Sequence, residues 1–311
     1  MAYKLGLIGT GRIAEKHLAV IKKIKELEVV AASSRTKKKL KKFAKKFKIK
    51  KTYSDIDKML KTEKLDGLII LVSVLNVFSV LKKVIKYKIP FFVEKPATLN
   101  ILQANEINLL IKKHKTKNVV GLNRRYYSIF LQAKQFIKKN GNAKAILIEG
   151  HEKYNFLKKI INKKILNNWL VANSVHNLDL FQYFFGKIKT IKVNTNNIGN
   201  IKNISASMKF KNKKVGTYLS NWDSPGRWSV KIFGSGYTII FDPLEKGKII
   251  FSNLKEKIIR PSKQDLKFKP GFYLQMKYFL KFIKSGKKME PQQDIQDWTN
   301  TLKILSKIDK K

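Results

Sequence analysis

Residues whose types and spacing could do chemistry fall in three places in this 311-residue chain. The first is Gly9-Thr10-Gly11-Arg12-Ile13-Ala14, a G-x-G-x-x-A turn. It follows an apolar run over residues 5–8 and opens a helical pattern reaching Ile24, with a second apolar run at 29–32. That strand–helix–strand setting turns a weak glycine motif into a dinucleotide site. Gly9 permits the tight turn, Gly11 lets the backbone approach a pyrophosphate, and Ala14 lets the helix pack closely. The helix N-terminus, at Arg12 and Ile13, offers N–H groups and a positive dipole end to the phosphates. The second place is Glu94-Lys95-Pro96, directly after Phe91-Phe92-Val93, and the third is His176 with Asp179 three residues on. Hydride removal from a carbinol needs a base for the hydroxyl proton and a cation for the developing oxyanion. Lys95 has the chemistry for the second task and His176 for the first. A histidine in the first turn of a helix capped by Ser174 would be held neutral by the dipole, ready to accept a proton. Asp179 would share its helical face.

The residues after the second strand bear on which dinucleotide is bound. An NAD site usually carries Asp or Glu about 20 residues past the glycines, on the ribose 2′-hydroxyl. This chain has Ser33-Ser34-Arg35-Thr36 there, with no carboxylate. Hydroxyls and a guanidinium fork suit a 2′-phosphate, so Ser34 and Arg35 favour NADP(H), with NAD(H) the other option.

The elements that must position these groups read as α/β. Residues 67–72 form a continuous apolar run, as a doubly covered parallel strand requires, and 91–93 and 118–121 are further short strands, with helical patterns at 77–87 and 99–113. Ligands of open parallel sheets lie beyond the carboxyl ends of the strands. That adds Thr10, Ser73, Glu94 and Lys95 to the cofactor set, and places Asn123, Arg125 and Tyr126 near the same cleft. The second half changes character. Strand-like runs at 145–149, 190–193, 204–210, 215–220, 230–233, 237–241 and 248–251 follow one another with few helices between them. This predicts a large antiparallel or mixed sheet, interrupted by a helix at 175–185 and closed by helices at 273–283 and 295–308. The division is therefore a dinucleotide-binding domain over residues 1–122 and a substrate and oligomerisation domain over 123–311, with the closing helices able to pack back on the first.

Composition narrows the class. The net charge of +46 would ordinarily suggest nucleic acid or anionic membrane. Yet 61 of the 67 basic residues are lysine, scattered over the outer faces of helices, which reads as a compositional bias rather than a phosphate reader. No specific nucleic-acid or membrane partner is expected. The chain has no cysteine, which removes disulfides, thiolate nucleophiles and Cys-based zinc sites together. No His/Asp/Glu cluster has metal-ligand spacing, so no metal is expected, and no segment resembles a signal peptide or a bilayer span. A cytoplasmic enzyme fits these features.

The glycine turn, Glu94-Lys95-Pro96, Asn123-Arg124-Arg125 and His176-Asn177-Leu178-Asp179, in this order and spacing, resemble the Gfo/Idh/MocA oxidoreductases. The resemblance covers nearly the whole chain and implies a Rossmann domain followed by an α/β domain whose open sheet often mediates dimers or tetramers. It also implies NAD(P)-dependent oxidation or reduction at a sugar or cyclitol carbon, with Lys95 and His176 in the catalytic roles and a cis Lys95–Pro96 bond. Asn173 joins Asn123, Arg125, Tyr126 and His176 as a substrate-side candidate. The loop at 221–228, with Trp222 and Trp228, suits either sugar contact or packing. Two departures stand out. Ala172 occupies the position where the family commonly carries Asp, four residues before His176, and Phe78 stands where many relatives have His. Asn173 or Asp179 could replace the missing carboxylate. The segment around His176 resembles a subgroup associated with surface-polysaccharide or amino-sugar pathways. A noncatalytic dinucleotide or sugar sensor on the same fold is the alternative.

Overall fold

The computed structural model describes residues 2–141, 143–199 and 201–309 and divides into two units, the first running to Asn123 with Lys267–Asn300 added, the second comprising Arg124–Leu266 and the stretch from Thr301. In the first unit, six parallel strands, β1 (Tyr3–Ile8), β2 (Leu27–Ser33), β3 (Lys51–Tyr53), β4 (Gly67–Ile70), β5 (Phe91–Glu94) and β6 (Asn118–Gly121), pair in the order β3-β2-β1-β4-β5-β6. The order reverses between β1 and β4, the switch point at which such sheets bind ligands. Leu5–Ile8 of β1 and all four residues of β4 are buried, because crossover helices cover both faces of a parallel sheet.

The helix Arg12–Ile21 turns Ala14, His17, Leu18 and Ile21 inward at helical spacing. It is met by the closing helix Phe272–Ser285, whose Met276, Phe279 and Leu280 share its core. Each such fully buried side chain contributes about 1.5–3 kcal/mol. This closing helix lies within the first unit. The stretch before the last helix also serves the first unit: Val120 N–H donates to the Gln293 carbonyl and Ile295 N–H to Asn118 Oδ1.

The second unit is built on eight strands, β7 (Ala143–Gly150), β8 (Ile188–Ile198), β9 (Ile201–Phe210), β10 (Val215–Asn221), β11 (Trp228–Gly234), β12 (Tyr237–Phe241), β13 (Gly247–Phe251) and β14 (Glu256–Ile259). Their order is β14-β13-β12-β11-β7-β10-β9-β8, antiparallel throughout except for the parallel β7–β10 pair. β10 alternates exposed and buried residues, the sign of a sheet covered on one face. The covering element is the helix Val175–Phe185, which packs on β7 and buries ten of its eleven residues. It is apolar almost all round because it is enclosed on every side, with Phe181 against Phe210 and Tyr218.

The start of that helix corrects an expectation. Ser174 has helical dihedrals and makes no capping bond; the chain enters through a π-helical turn, Leu170–Ser174, continuous with the α-helix. His176 therefore does not sit in the first turn of a free helix N-terminus, and the dipole does not act on it in the way its sequence position suggests.

Candidate active site

At the carboxyl ends of β1, β2 and β4, within the first unit, lies a cavity of about 440 Å³. Six of the residues singled out from the sequence line it: Gly9, Thr10, Gly11, Ser34, Arg35 and Ser73. The two glycines have separate physical reasons. Gly9 adopts φ +101°, and a Cβ there would lie 2.5 Å from the Leu71 carbonyl oxygen, so only glycine fits the turn. Gly11 has an ordinary φ of −80°, and a Cβ there would meet nothing within 4 Å. The protein leaves that space open. Gly11 also brings no side chain to the N-terminus of the helix Arg12–Ile21, and a helix leaves its leading N–H groups without intrahelical partners.

The cavity is electropositive. Arg35, Lys39 and Lys83 line it against the single carboxylate of Asp55, which already accepts from Lys58 N–H as a helix cap. Ser33, at the end of β2, is buried with its hydroxyl unpartnered and borders the same space. Lys39 escaped the sequence reading; it lies four residues past Arg35 on the first turn of the helix Lys37–Phe47, and that spacing was the available signal. Arg12, Ile13, Glu94 and Lys95 do not border this cavity. The open space at Gly11, the helix end and the cation set fit the pyrophosphate and phosphate groups of a dinucleotide.

Beyond β5 the chain sets up a second arrangement in the same unit. Glu94 Oε1 pairs with His17 Nε2 at 2.8 Å, and Glu94 Oε2 accepts the Lys95 backbone N–H at 3.1 Å. His17 is fully buried, its ring stacked on Phe272 at 4.3 Å and edge-on to Phe92 at 5.3 Å. Its Nδ1 has no partner. Facing a carboxylate oxygen, the His17 Nε2–H donates. His17 is not among the residues singled out from the sequence. Its place on the inward stripe of the helix Arg12–Ile21 was the signal. The Lys95–Pro96 bond is cis, as the resemblance implied.

The short 3-10 turn Asn123–Tyr126 carries two adjacent arginines, both in the second unit, that are put to different uses. Arg125 gives a two-pronged bond to Asp179, Nε to Oδ2 at 2.6 Å and Nη2 to Oδ1 at 2.8 Å, with both residues buried. Asp179 holds the Arg125 guanidinium charged despite the burial that opposes it. Both carboxylate oxygens of Asp179 and the fork of Arg125 are thus spent on each other. Arg124 instead lays its guanidinium over Trp228, 4.4 Å from the ring centroid, and burial lowers its pKa. Of the other substrate-side candidates, Tyr126 is fully buried and Asn123, in the first unit, donates its amide to the Pro270 carbonyl at 3.0 Å. Trp222 is buried beside Tyr154, a packing role.

His176 is 6 % exposed, two residues past the π turn. A carboxylate that the sequence reading missed reaches this turn: Glu152 Oε1 accepts Ser174 Oγ–H at 2.8 Å and Asn173 Nδ2–H at 3.3 Å. Burial pushes the Glu152 carboxyl above its ordinary value, against the pull of these donors and of Arg124. Among the described residues, no group of three or more His, Cys, Asp or Glu could hold a metal ion, and no helix is long and apolar enough to cross a membrane.

Comparison with known proteins agrees with this architecture. Residues 3–122 match the oxidoreductase family with an NAD-binding Rossmann fold, GFO/IDH/MocA, and residues 130–240 match the GFO/IDH/MocA C-terminal domain. The uncharacterized oxidoreductase YrbE of Bacillus subtilis is 23% identical over 181 residues, 58% of this chain and 53% of that protein, so the match spans about half of that relative's length. The myo-inositol 2-dehydrogenase of Thermotoga maritima is 19% identical over 301 residues, 91% of this chain and 89% of that protein. The crystal structure of a dehydrogenase from Chromobacterium violaceum superposes with a TM-score of 0.87 at 16% identity, covering 99% of this chain and 94% of that one, a likeness of fold. The two family matches together span most of the chain, which belongs to the GFO/IDH/MocA family of NAD(P)-dependent oxidoreductases.

Proposed function

We propose that this chain transfers a hydride between NADP(H) and a secondary alcohol or keto carbon of a sugar, amino-sugar or cyclitol derivative. The observation that carries the nucleotide preference is the end of β2, where Ser34, Arg35 and Lys39 line the cavity and no carboxylate follows the strand to pair with a ribose 2′-hydroxyl. Arg35 offers a planar fork to a 2′-phosphate and Lys39 a second charge. Gly9, Thr10 and Gly11, at the N-terminus of the helix Arg12–Ile21, would hold the pyrophosphate. When bound, the nicotinamide supplies the hydride acceptor or donor.

The chain's own groups handle the substrate proton and charge. In the oxidative direction the hydroxyl proton passes to the His176 imidazole, and the Lys95 ammonium stabilises the oxygen as negative charge develops there. Glu94, braced by His17, fixes the Lys95 backbone. Asp179 takes no part in the proton transfer, because both its oxygens are engaged by Arg125. The likeness of the His176 segment to the surface-polysaccharide subgroup supports an amino-sugar derivative. The exposed face of β10, with Val215 and Leu219 open, supports assembly of copies through the sheet as a dimer or tetramer, which light scattering would test.

The test is a tryptophan-fluorescence titration with NADPH and NADH at moderate salt, with polyphosphate as anion control, in wild type and Arg35→Ala. Loss of charge-assisted bonds of about 1.5–3 kcal/mol predicts NADPH binding weaker by about 10- to 100-fold with NADH little changed. Equal losses for both would overturn the 2′-phosphate assignment. A screen of polyols with wild type, Lys95→Ala and His176→Ala then separates enzyme from sensor: tight nucleotide binding with no turnover on any polyol favours the sensor.

A further inference from the structure

We propose that Glu152 is the positioning carboxylate for His176, acting through the π turn that delivers the histidine. The proposal rests on the reading of His176 as the proton acceptor. Three observations lead to it. Glu152 lies just past the end of β7, its backbone N–H anchored to the Asn221 carbonyl at 2.9 Å, and its side chain is turned inward, with the residue 6 % exposed. One oxygen, Oε1, takes donors from two adjacent residues of the turn, Asn173 and Ser174. The turn itself holds more residues than an α-turn of the same rise, so it sets the rotation of everything after it, and His176 follows two residues later. A bond at Ser174 from an element outside the helix therefore fixes how the imidazole is aimed.

The carboxylate is informative because a neutral group would do the structural part. A glutamine at 152 would accept the same two bonds without the cost of burying a charge. Only the carboxylate adds negative charge beside the turn, where it favours the imidazolium that proton transfer creates. Burial raises the Glu152 carboxyl, Ser174, Asn173 and Arg124 pull the other way, and the buried Tyr218 hydroxyl shares the surroundings. Position 172 is alanine, and Asp179 is committed to Arg125.

The experiment uses the full chain with Glu152→Gln and Ser174→Ala. With only four histidines, the ring signals in a heteronuclear NMR titration can be assigned by a His176→Gln control. Glu152→Gln is expected to lower the His176 midpoint by at least about half a pH unit. Turnover is expected to fall about 10- to 100-fold in kcat, with NADPH affinity unchanged because none of these residues lines the nucleotide cavity. Ser174→Ala deletes only a hydroxyl and is expected to lower kcat several-fold, which keeps the idea testable if Glu152→Gln fails to fold. A His176 midpoint and kcat equal to wild type in a folded Glu152→Gln protein would overturn the proposal, as would a loss of thermal stability alone. A shifted midpoint without turnover on any polyol would leave the coupling standing and refute hydride transfer instead.

Discussion

The two glycines of the nucleotide turn should respond in opposite ways to the same substitution. At Gly11→Ala the backbone already has φ −80° and the new methyl meets no protein atom within 4 Å. Stability gains about 0.4–1 kcal/mol from a stiffer unfolded chain and loses a comparable amount because alanine is a poor N-cap. The net stays within about 1 kcal/mol, a few degrees of Tm at most. Binding is another matter, since the methyl fills the space left for a pyrophosphate. Losing two charge-assisted bonds at about 1.5–3 kcal/mol each amounts to about 3–6 kcal/mol, or at least 100-fold in Kd. At Gly9→Ala the order reverses. A residue with φ +101° adds about 1–3 kcal/mol of backbone strain, and a Cβ 2.5 Å from the Leu71 carbonyl adds about 1–3 kcal/mol of overpacking against backbone that cannot rotate away. Chemical denaturation gives the stability of each variant, and calorimetric titration with NADPH gives the affinity. Gly11→Ala binding NADPH within threefold of wild type would refute the reading of this cavity as a dinucleotide site. Gly9→Ala as stable as wild type would refute the steric argument.

The buried pair gives a prediction for stability alone. Arg125→Met leaves the Asp179 carboxylate buried without its fork and should cost about 3–5 kcal/mol in urea unfolding, whereas Arg125→Met with Asp179→Leu should recover most of it; a single variant costing under about 1 kcal/mol would contradict the geometry. His17→Phe keeps the aromatic packing and removes the donor to Glu94, so it should cost about 1–3 kcal/mol, with His17→Gln regaining part of the loss in the same measurement. At alkaline pH several tyrosines should resist ionisation in the folded chain, Tyr87, Tyr127 and Tyr218 among them. Burial pushes Tyr127 up to about 12, a hydrogen bond to Asp57 pushes Tyr87 up to about 12, and burial raises Tyr218. Groups raised in the folded state contribute stability that is intact below the unfolded value near 10 and is lost as pH climbs through the folded values. Unfolding midpoints should therefore drop between about pH 10 and 12, and a phenolate absorbance titration in which all tyrosines ionise together near 10 would contradict this.

Periodicity exposed most of the fold because most elements bury one face. The four apolar residues of β4 and the alternation in β10 are legible for opposite reasons, one strand covered on both sides and the other on one. Two edge strands that escaped have no face to bury. β3 is three residues at the edge of its sheet, Lys51-Thr52-Tyr53, and β14 is a four-residue edge strand with three exposed residues. Neither carries a pattern. The π turn was invisible for a related reason: Leu170–Ser174 has the composition of an ordinary helix entry, and Ser174 looks like a cap until its hydroxyl is found on Glu152, 22 residues earlier in the chain.

The site was legible where chemistry is set by backbone and lost where it is set by pairing. Gly9 and Gly11 announce a turn because only glycine can make it. Nothing in Asn123-Arg124-Arg125-Tyr126 says which arginine will be spent internally, since both have the same charge and neighbouring positions. What the sequence did carry was the scarcity of arginine, six against 61 lysines, and the structure gives that scarcity a physical cause at three positions. Arg125 grips Asp179 with two parallel bonds, Arg124 lies flat on Trp228, and Arg35 lines the phosphate cavity. A lysine keeps the charge in each place, but its ammonium is a point with no plane and no fork. It could neither stack on the indole nor satisfy both oxygens of a buried carboxylate. In a chain that otherwise writes its cations as lysine, these arginines mark the places where the shape of the cation, more than its charge, is what the fold requires.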